Sequence, residues 1–171
     1  MSWWHWARGR PPPDDRRWVV LDVEASGLDA ARDRLLAVAA LAMSVPDGGR
    51  PAIELGDTFE IVLRQPEHEV DRPNILLHGI GVGAQRAGTD PREALATFAT
   101  WLGTAPLIAF HSAFDETMIR RAVRANSLPA LSNPWVDLAH VAEAVRPDVR
   151  AKSLDEWLEA FGIVVAVRHQ A

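Results

Sequence analysis

Residues 18–28 read WVVLDVEASGL, an apolar run that contains two acids, Asp22 and Glu24, and is broken by Gly27. Because side chains alternate between the two faces of a β-strand, both carboxylates would project from one face, about 7 Å apart along the chain. Two ionised carboxylates that close on a largely buried strand need a neutralising charge, which a divalent cation would supply. Alternatively, the strand ends at Leu21 and both acids are solvated.

Length and composition indicate one globular domain, because the chain has 171 residues of which 48% are hydrophobic. The absence of cysteine excludes disulfides and thiolate zinc sites. A net charge of -5 argues against nucleic-acid binding through a broad basic surface, but not against an acidic site whose sign is reversed by bound metal. No apolar run is long enough to span a bilayer or to act as a signal peptide, so we expect a cytoplasmic protein with no membrane contact.

The N-terminal segment, residues 1–17, combines Trp3, Trp4 and Trp6 with arginines and a run of three prolines. We expect an arm that covers its own domain or a partner subunit, which buries the indoles. The alternative is stacking of these rings on nucleic-acid bases. The globular domain then comprises residues 18–171.

The rest of the chain predicts three strands followed by alternating helices and strands, an α/β order that suits a mixed sheet covered on its faces. Strands are predicted at 34–45 and 58–63 around the turn at 46–49, because turn residues separate two apolar runs. The later predictions are a helix capped by Asp90 and ending at Gly103, a strand at 106–110, a helix at 116–125, a strand-to-helix passage from Trp135 and a last helix that begins after Ser153 and ends at Gly162.

The Asp22-x-Glu24-x-Ser26-Gly27-Leu28 pattern at the end of the first strand resembles the first motif of the DnaQ-like, DEDD-type 3'→5' exonucleases. The second family motif ends in Phe-Asp at the start of a helix, which Phe114-Asp115 matches. The residues before this pair differ from the usual His-Asn lead-in. The alternative for Asp115 is that it belongs to a helix cap with Ser112 and serves helix nucleation alone.

The third motif of the His-containing branch is His-x-Ala-x-x-Asp, and His169-Gln170-Ala171 matches its opening. We expect the aspartate of this motif just beyond Ala171, so that the printed chain is a truncated domain. The alternative is that His169 is a solvated tail residue. A further match is His78-Gly79-Ile80, which resembles a His-Gly-Ile segment found in many of these exonucleases.

The resemblance implies a ribonuclease H-like mixed sheet whose first three strands are antiparallel, flanked by helices. It also implies a metal-dependent exonuclease that removes nucleoside monophosphates from the 3' end of single-stranded DNA or RNA. Two Mg²⁺ or Mn²⁺ ions would be held by Asp22, Glu24 and Asp115, and His169 would be the general base.

Substrate contacts are predicted at Ser26, Gly27, Leu28, His78 and Phe114. The alternative for each of these residues is a packing or turn role. The tryptophan arm would be the contact for a polymerase or for a second copy of the chain. The alternative function is a catalytically silent module of the same fold that binds nucleic acid or protein.

Overall fold

The computed structural model describes residues 16–66 and 79–165. The predicted site residues His78 and His169, and residues 1–15 of the predicted arm, lie outside the described residues. The predicted boundary between arm and domain moves by one residue, because the first strand begins at Arg17. Within the described residues, no helix has the length and apolar content that a bilayer span requires.

The described elements are five strands and five helices, in an α/β order. The strands are β1 (Arg17–Ala25), β2 (Leu35–Ser44), β3 (Ala52–Val62), β4 (Leu107–Ala109) and β5 (Trp135–Asp137). The helices are α1 (Val82–Ala87), α2 (Pro91–Leu102), α3 (Ala113–Ala125), α4 (Leu138–Val145) and α5 (Leu154–Ala160).

The sheet has the strand order β3-β2-β1-β4-β5. The pairs β1–β2 and β2–β3 are antiparallel, whereas β1–β4 and β4–β5 are parallel. This confirms the predicted mixed sheet with three antiparallel strands first. Parallel pairing places the carboxyl ends of β1, β4 and β5 at one end of the sheet. Asp22 and Glu24 lie near the carboxyl end of β1, and Asp137 is the last residue of β5.

Helix caps predicted from the sequence are present. The Asp90 carboxylate accepts hydrogen bonds from the backbone N–H groups of Arg92 and Glu93, and Pro91 occupies the first turn of α2. At α5, the Ser153 hydroxyl and the side chain of Glu156 form a reciprocal capping box. These caps satisfy N–H groups that have no partner inside the helix.

One hydrophobic core joins β1 and β2 to α2 and α3. From β1 the core takes Val19, Leu21 and Val23, and its largest side chain is Phe98 of α2, which is fully buried. The ring of Phe98 lies 5.4 Å from that of Phe59 on β3, so the edge strand is tied to the same core. Since alternate residues of β1 enter this core, the residues between them face the opposite side of the sheet.

Candidate active site

The end of β1 presents its two acids on the face opposite the core. Val19, Leu21 and Val23 are buried, whereas Asp22 is exposed and Glu24 is partly exposed. Burial, the larger cause, and the charge of Asp22 together raise the pKa of Glu24 from 4.5 to about 7. The strand therefore does not end at Leu21, and the two carboxylates are electrostatically coupled as the alternation of side chains predicts.

Asp115 reaches the same strand from the first turn of α3. Its Oδ1 accepts a hydrogen bond of 3.2 Å from the backbone N–H of Val23. That N–H points to the same side of β1 as the N–H of Val19, which donates to the Pro106 carbonyl next to β4. Because β4 pairs with β1 only as far as Val20, Asp115 supplies the acceptor that a longer β4 would have provided.

Asp115 is almost completely buried, with 4% of its surface exposed. Burial, the larger cause, and the charge of Asp22 together raise its pKa from 3.8 to about 7. The helix-cap interpretation predicted a bond from Ser112 in this turn, but the Ser112 side chain makes no capping hydrogen bond. Asp115 therefore joins the acids of β1 rather than serving only to start its helix.

Asp137, at the end of β5, is a further acid of this edge that the sequence analysis did not include in the site. Its Oδ1 accepts hydrogen bonds from the backbone N–H groups of His111 at 3.0 Å and Ala139 at 2.9 Å. Its charge also raises the pKa of Asp115. One carboxylate oxygen thus joins the turn before α3 to the start of α4.

A signal for Asp137 was present in the sequence, since an acid between a strand and a helix is a common N-cap. The carboxyl ends of parallel strands meet at one edge, which places that acid beside the other strand ends. His111 has φ 57°, in the left-handed region. Histidine is among the residue types enriched there, and this turn brings the start of α3 up to the site.

The loop after β1 is closed by Ser26, one of the predicted substrate contacts. Its hydroxyl donates to Asp33 Oδ1 at 3.0 Å and accepts from the Arg34 backbone N–H at 2.9 Å. At Gly27, an added Cβ would lie 2.5 Å from Asp33 Oδ2, so glycine permits the approach of that carboxylate. Both residues thus have a demonstrable role in shaping the loop.

The two described apolar side chains predicted to contact substrate differ in exposure. Leu28 is 89% exposed at the loop that follows the acids of β1, a position from which it can reach a ligand. Phe114 is partly buried and packs against the hydrophobic core, next to Asp115. Substrate contact through these side chains remains a prediction.

The donor chemistry of the site suits a hard divalent cation. All the described donors are carboxylate oxygens, the ligands that Mg²⁺ and Mn²⁺ prefer, and a cation would favour the ionised forms of Glu24 and Asp115 that burial disfavours. No group of three or more His, Cys, Asp or Glu side chains in residues 16–66 and 79–165 is already arranged as a metal-ligand set. Metal ligation by Asp22, Glu24 and Asp115 therefore stays a prediction.

Comparison with known proteins identifies the family. A model of the exonuclease family matches residues 19–171. Among curated proteins, the PolC-type DNA polymerase III of Oceanobacillus iheyensis is 29% identical over 154 residues, which cover 90% of this chain and 10% of the polymerase. The chain thus spans about a tenth of the length of this relative.

Solved structures with the same fold include E. coli exonuclease I in complex with a dA16 oligonucleotide, with a TM-score of 0.71 and 19% identity over 92% of this chain and 38% of that chain. A zinc-bound form of the exonuclease I complex with single-stranded DNA gives a TM-score of 0.71 at 18% identity, over 92% of this chain and 37% of that chain. The likeness to these structures shows the ribonuclease H-like fold. The match to the family model shows that the chain belongs to the exonuclease family, as a DnaQ-like protein of the DEDDh type.

Proposed function

We propose that this protein is a metal-dependent 3'→5' exonuclease that hydrolyses terminal phosphodiester bonds of single-stranded nucleic acid and releases nucleoside monophosphates. The observation that carries the proposal is that Asp22, Glu24 and Asp115 lie at one end of the sheet, where burial and the charge of Asp22 raise the pKa of both Glu24 and Asp115. Such mutual repulsion is costly in a structural site and is relieved by bound cations.

DNA is the preferred substrate in this proposal. The polymerase relative is a DNA polymerase by name, and the structural neighbours are described with a deoxyadenosine oligonucleotide and with single-stranded DNA. These facts concern those proteins, and they support single-stranded DNA as the first ligand to test here. RNA of the same sequence is the matched comparison.

The carboxylates Asp22, Glu24 and Asp115 would hold two Mg²⁺ or Mn²⁺ ions. When bound, such ions lower the pKa of a water and stabilise the departing 3'-oxygen. Asp115 is positioned for this role by the Val23 N–H, which donates to its Oδ1. Asp137 contributes by holding the turn at His111 that precedes α3.

Two further residues act on water and substrate in the proposal. His169, outside the described residues, would accept the proton of the attacking water, because an imidazole with an ordinary pKa near 6.5 is half-charged close to neutral pH. Leu28, exposed beside the acids, would contact the terminal base. A polymerase or a second copy of the chain remains a proposed partner of the N-terminal arm.

The test is degradation of 5'-labelled single-stranded DNA and RNA with Mn²⁺ by the protein expressed to the stop codon of its gene. We expect a descending ladder of products that disappears in Asp22→Asn and Asp115→Asn and persists in Asp47→Asn, an exposed acid in the β2–β3 turn. A phosphorothioate at the 3'-terminal linkage should slow the first step. Release of the label as a mononucleotide at the first step, without a ladder, would contradict the 3'→5' direction. No cleavage of either nucleic acid would leave the alternative function, a catalytically silent binding module of the same fold.

A further inference from the structure

A cavity of about 360 Å³ lies between the start of β2, the residues after β3 and the outer turns of α3. Its lining includes three arginines, Arg34, Arg64 and Arg121, and one described acid, Asp33. In a chain with a net charge of -5, this is a local excess of positive charge. The cavity is therefore suited to an anion.

The one acid in the described lining is already engaged by its own loop. Asp33 Oδ1 accepts from the Ser26 hydroxyl at 3.0 Å, and Asp33 Oδ2 accepts from the Asp29 backbone N–H at 2.7 Å. These bonds direct the carboxylate toward the loop after β1. The charge of the three guanidinium groups is thus not cancelled by an ion pair with Asp33.

Each guanidinium is anchored through a single nitrogen. Arg121 donates through Nη1 to the carbonyls of Ala30 and Asp33, while Arg64 donates through Nε to the Gly88 carbonyl at 3.1 Å. Arg34 Nη1 lies 3.4 Å from Gln65 Oε1. In the part of the chain that the structure describes, the other nitrogens of these groups make no hydrogen bond or ion pair with the protein. Since a guanidinium has five N–H donors, most of its donors remain for an anion.

The cavity begins close to the site acids. Leu35, in the lining, is paired across the sheet with Ala25, the residue after Glu24. Arg121 follows Asp115 by six residues on the same helix, about 9 Å along its axis. Leu35, Leu63 and Met118 of the lining belong to the hydrophobic core, so the cavity lies on the core side of the sheet, at the same end as the acids. A substrate strand with its 3' end at the acids would cross this end of the sheet to place an upstream phosphate in the cavity.

We propose that the arginine cavity, formed by Arg34, Arg64 and Arg121, binds a backbone phosphate of the substrate strand upstream of its 3' end. This inference rests on the proposed function. Arginine presents paired N–H groups in a fork that matches two phosphate oxygens, so fixed arginines are suited to a phosphodiester. A released mononucleotide carries the same chemistry, and the experiment separates these two sources.

The test uses Arg34→Gln and Arg64→Gln in the full chain, because Arg121 also holds the loop after β1. Arg50→Gln is the matched control, since Arg50 is exposed in the β2–β3 turn at the opposite end of β2. Binding of fluorescent single-stranded DNA of 12 nucleotides and of a dinucleotide is measured by anisotropy, with Ca²⁺ replacing Mn²⁺, over a range of salt concentrations. Thermal melting verifies that each variant is folded, and Arg64→Lys retains the charge without the fork.

We expect each glutamine variant to bind the 12-mer about ten-fold more weakly and its salt slope to fall by about 0.7, the value for one lost phosphate contact on single-stranded DNA. Arg64→Lys should keep the salt slope and lose part of the affinity. Dinucleotide binding, and 12-mer binding by Arg50→Gln, should equal those of the wild type.

Unchanged 12-mer binding in both glutamine variants would overturn the proposal, even if the wild-type chain cleaves DNA. Inhibition of DNA cleavage by deoxyadenosine monophosphate is measured on the same variants with Mn²⁺. A variant that loses this inhibition but keeps its 12-mer affinity would also overturn the proposal, because the cavity would then bind the released product. If the wild-type chain cleaves neither nucleic acid but the glutamine variants bind the 12-mer more weakly than the wild type, the phosphate-binding role of the cavity stands and the exonuclease proposal fails.

Discussion

Replacement of Asp115 by Asn is expected to stabilise the metal-free protein at pH 8 and to change its stability little at pH 4. Asparagine has nearly the same shape, and its amide oxygen can still accept the Val23 N–H. In the folded protein the pKa of Asp115 is about 7, raised from 3.8 by burial and by Asp22. Below pH 3.8 the carboxyl is mostly neutral in both the folded and the unfolded chain, so its burial then does not lower the free energy of unfolding through ionisation.

As pH rises from about 4 to 7, the unfolded chain releases the Asp115 proton and the folded chain retains it. Folding stability therefore falls through this range, and the loss is complete above the folded pKa of about 7. At about 1.4 kcal/mol for each pKa unit, the loss reaches about 4 kcal/mol, an upper bound because a folded protein relaxes around a buried charge. Asp115→Asn lacks this loss, so its advantage over the wild type should increase with pH.

The assay is urea unfolding in EDTA at pH 4, 6 and 8. Glu24, whose pKa is also about 7, is present in both proteins, so its contribution largely cancels in the difference. Asp47→Asn is the matched control for loss of an acid, because the Asp47 side chain is 82% exposed. The reasoning would be refuted if the free energy of unfolding of Asp115→Asn, relative to that of the wild type, does not increase between pH 4 and 8. It would also be refuted if the variant is less stable than the wild type at pH 8.

Three other outcomes are expected. Mn²⁺ at pH 8 should raise the melting temperature of the wild type, and by much less in Asp22→Asn; an equal rise in both would place the metal elsewhere. Asp57→Asn should lower the free energy of unfolding by about 1–2 kcal/mol. The reason is that the Asp57 carboxylate accepts hydrogen bonds from Arg17 at 2.8 and 3.2 Å and from the Trp101 indole N–H at 2.8 Å. A loss no larger than that of Asp47→Asn would show that these hydrogen bonds do not stabilise the fold. Leu28→Ala should raise KM for DNA several-fold at an unchanged melting temperature, and an unchanged KM would exclude contact with the base.

The parts of the fold that the sequence predicted correctly are those decided by local physics. Alternation along β1 separates core residues from Asp22 and Glu24, and this holds whatever packs on the sheet. The cap at Asp90 and the capping box at Ser153 involve residues within one turn of each other, so their partners can be recognised without knowledge of the fold. The α/β order of elements along the chain was predicted from the residues and is confirmed, as is the mixed sheet with three antiparallel strands first that the family resemblance implied.

The parts that could not be predicted depend on contacts between distant segments. β3 begins at Ala52 rather than at the predicted Thr58, because pairing with β2 extends the strand past Gly56 and Asp57, residue types that are depleted in strands. α3 begins at Ala113 rather than Glu116, since the turn before it is held by Asp137, 26 residues away in the sequence. Tertiary hydrogen bonds therefore set these boundaries, and sequence periodicity does not record them.

The early end of β4 explains why the second motif acid belongs to the site. If β4 continued alongside β1, a strand carbonyl would bond the Val23 N–H and the helix would begin farther from the acids. Instead the chain leaves the sheet after Ala109, turns at His111 in a left-handed conformation and delivers Asp115 to Val23. The N–H that this turn leaves unpaired is the group that fixes the carboxylate, so the number of residues between β4 and Asp115 is set by the geometry of the site. A helix cap alone would impose no such spacing relative to β1.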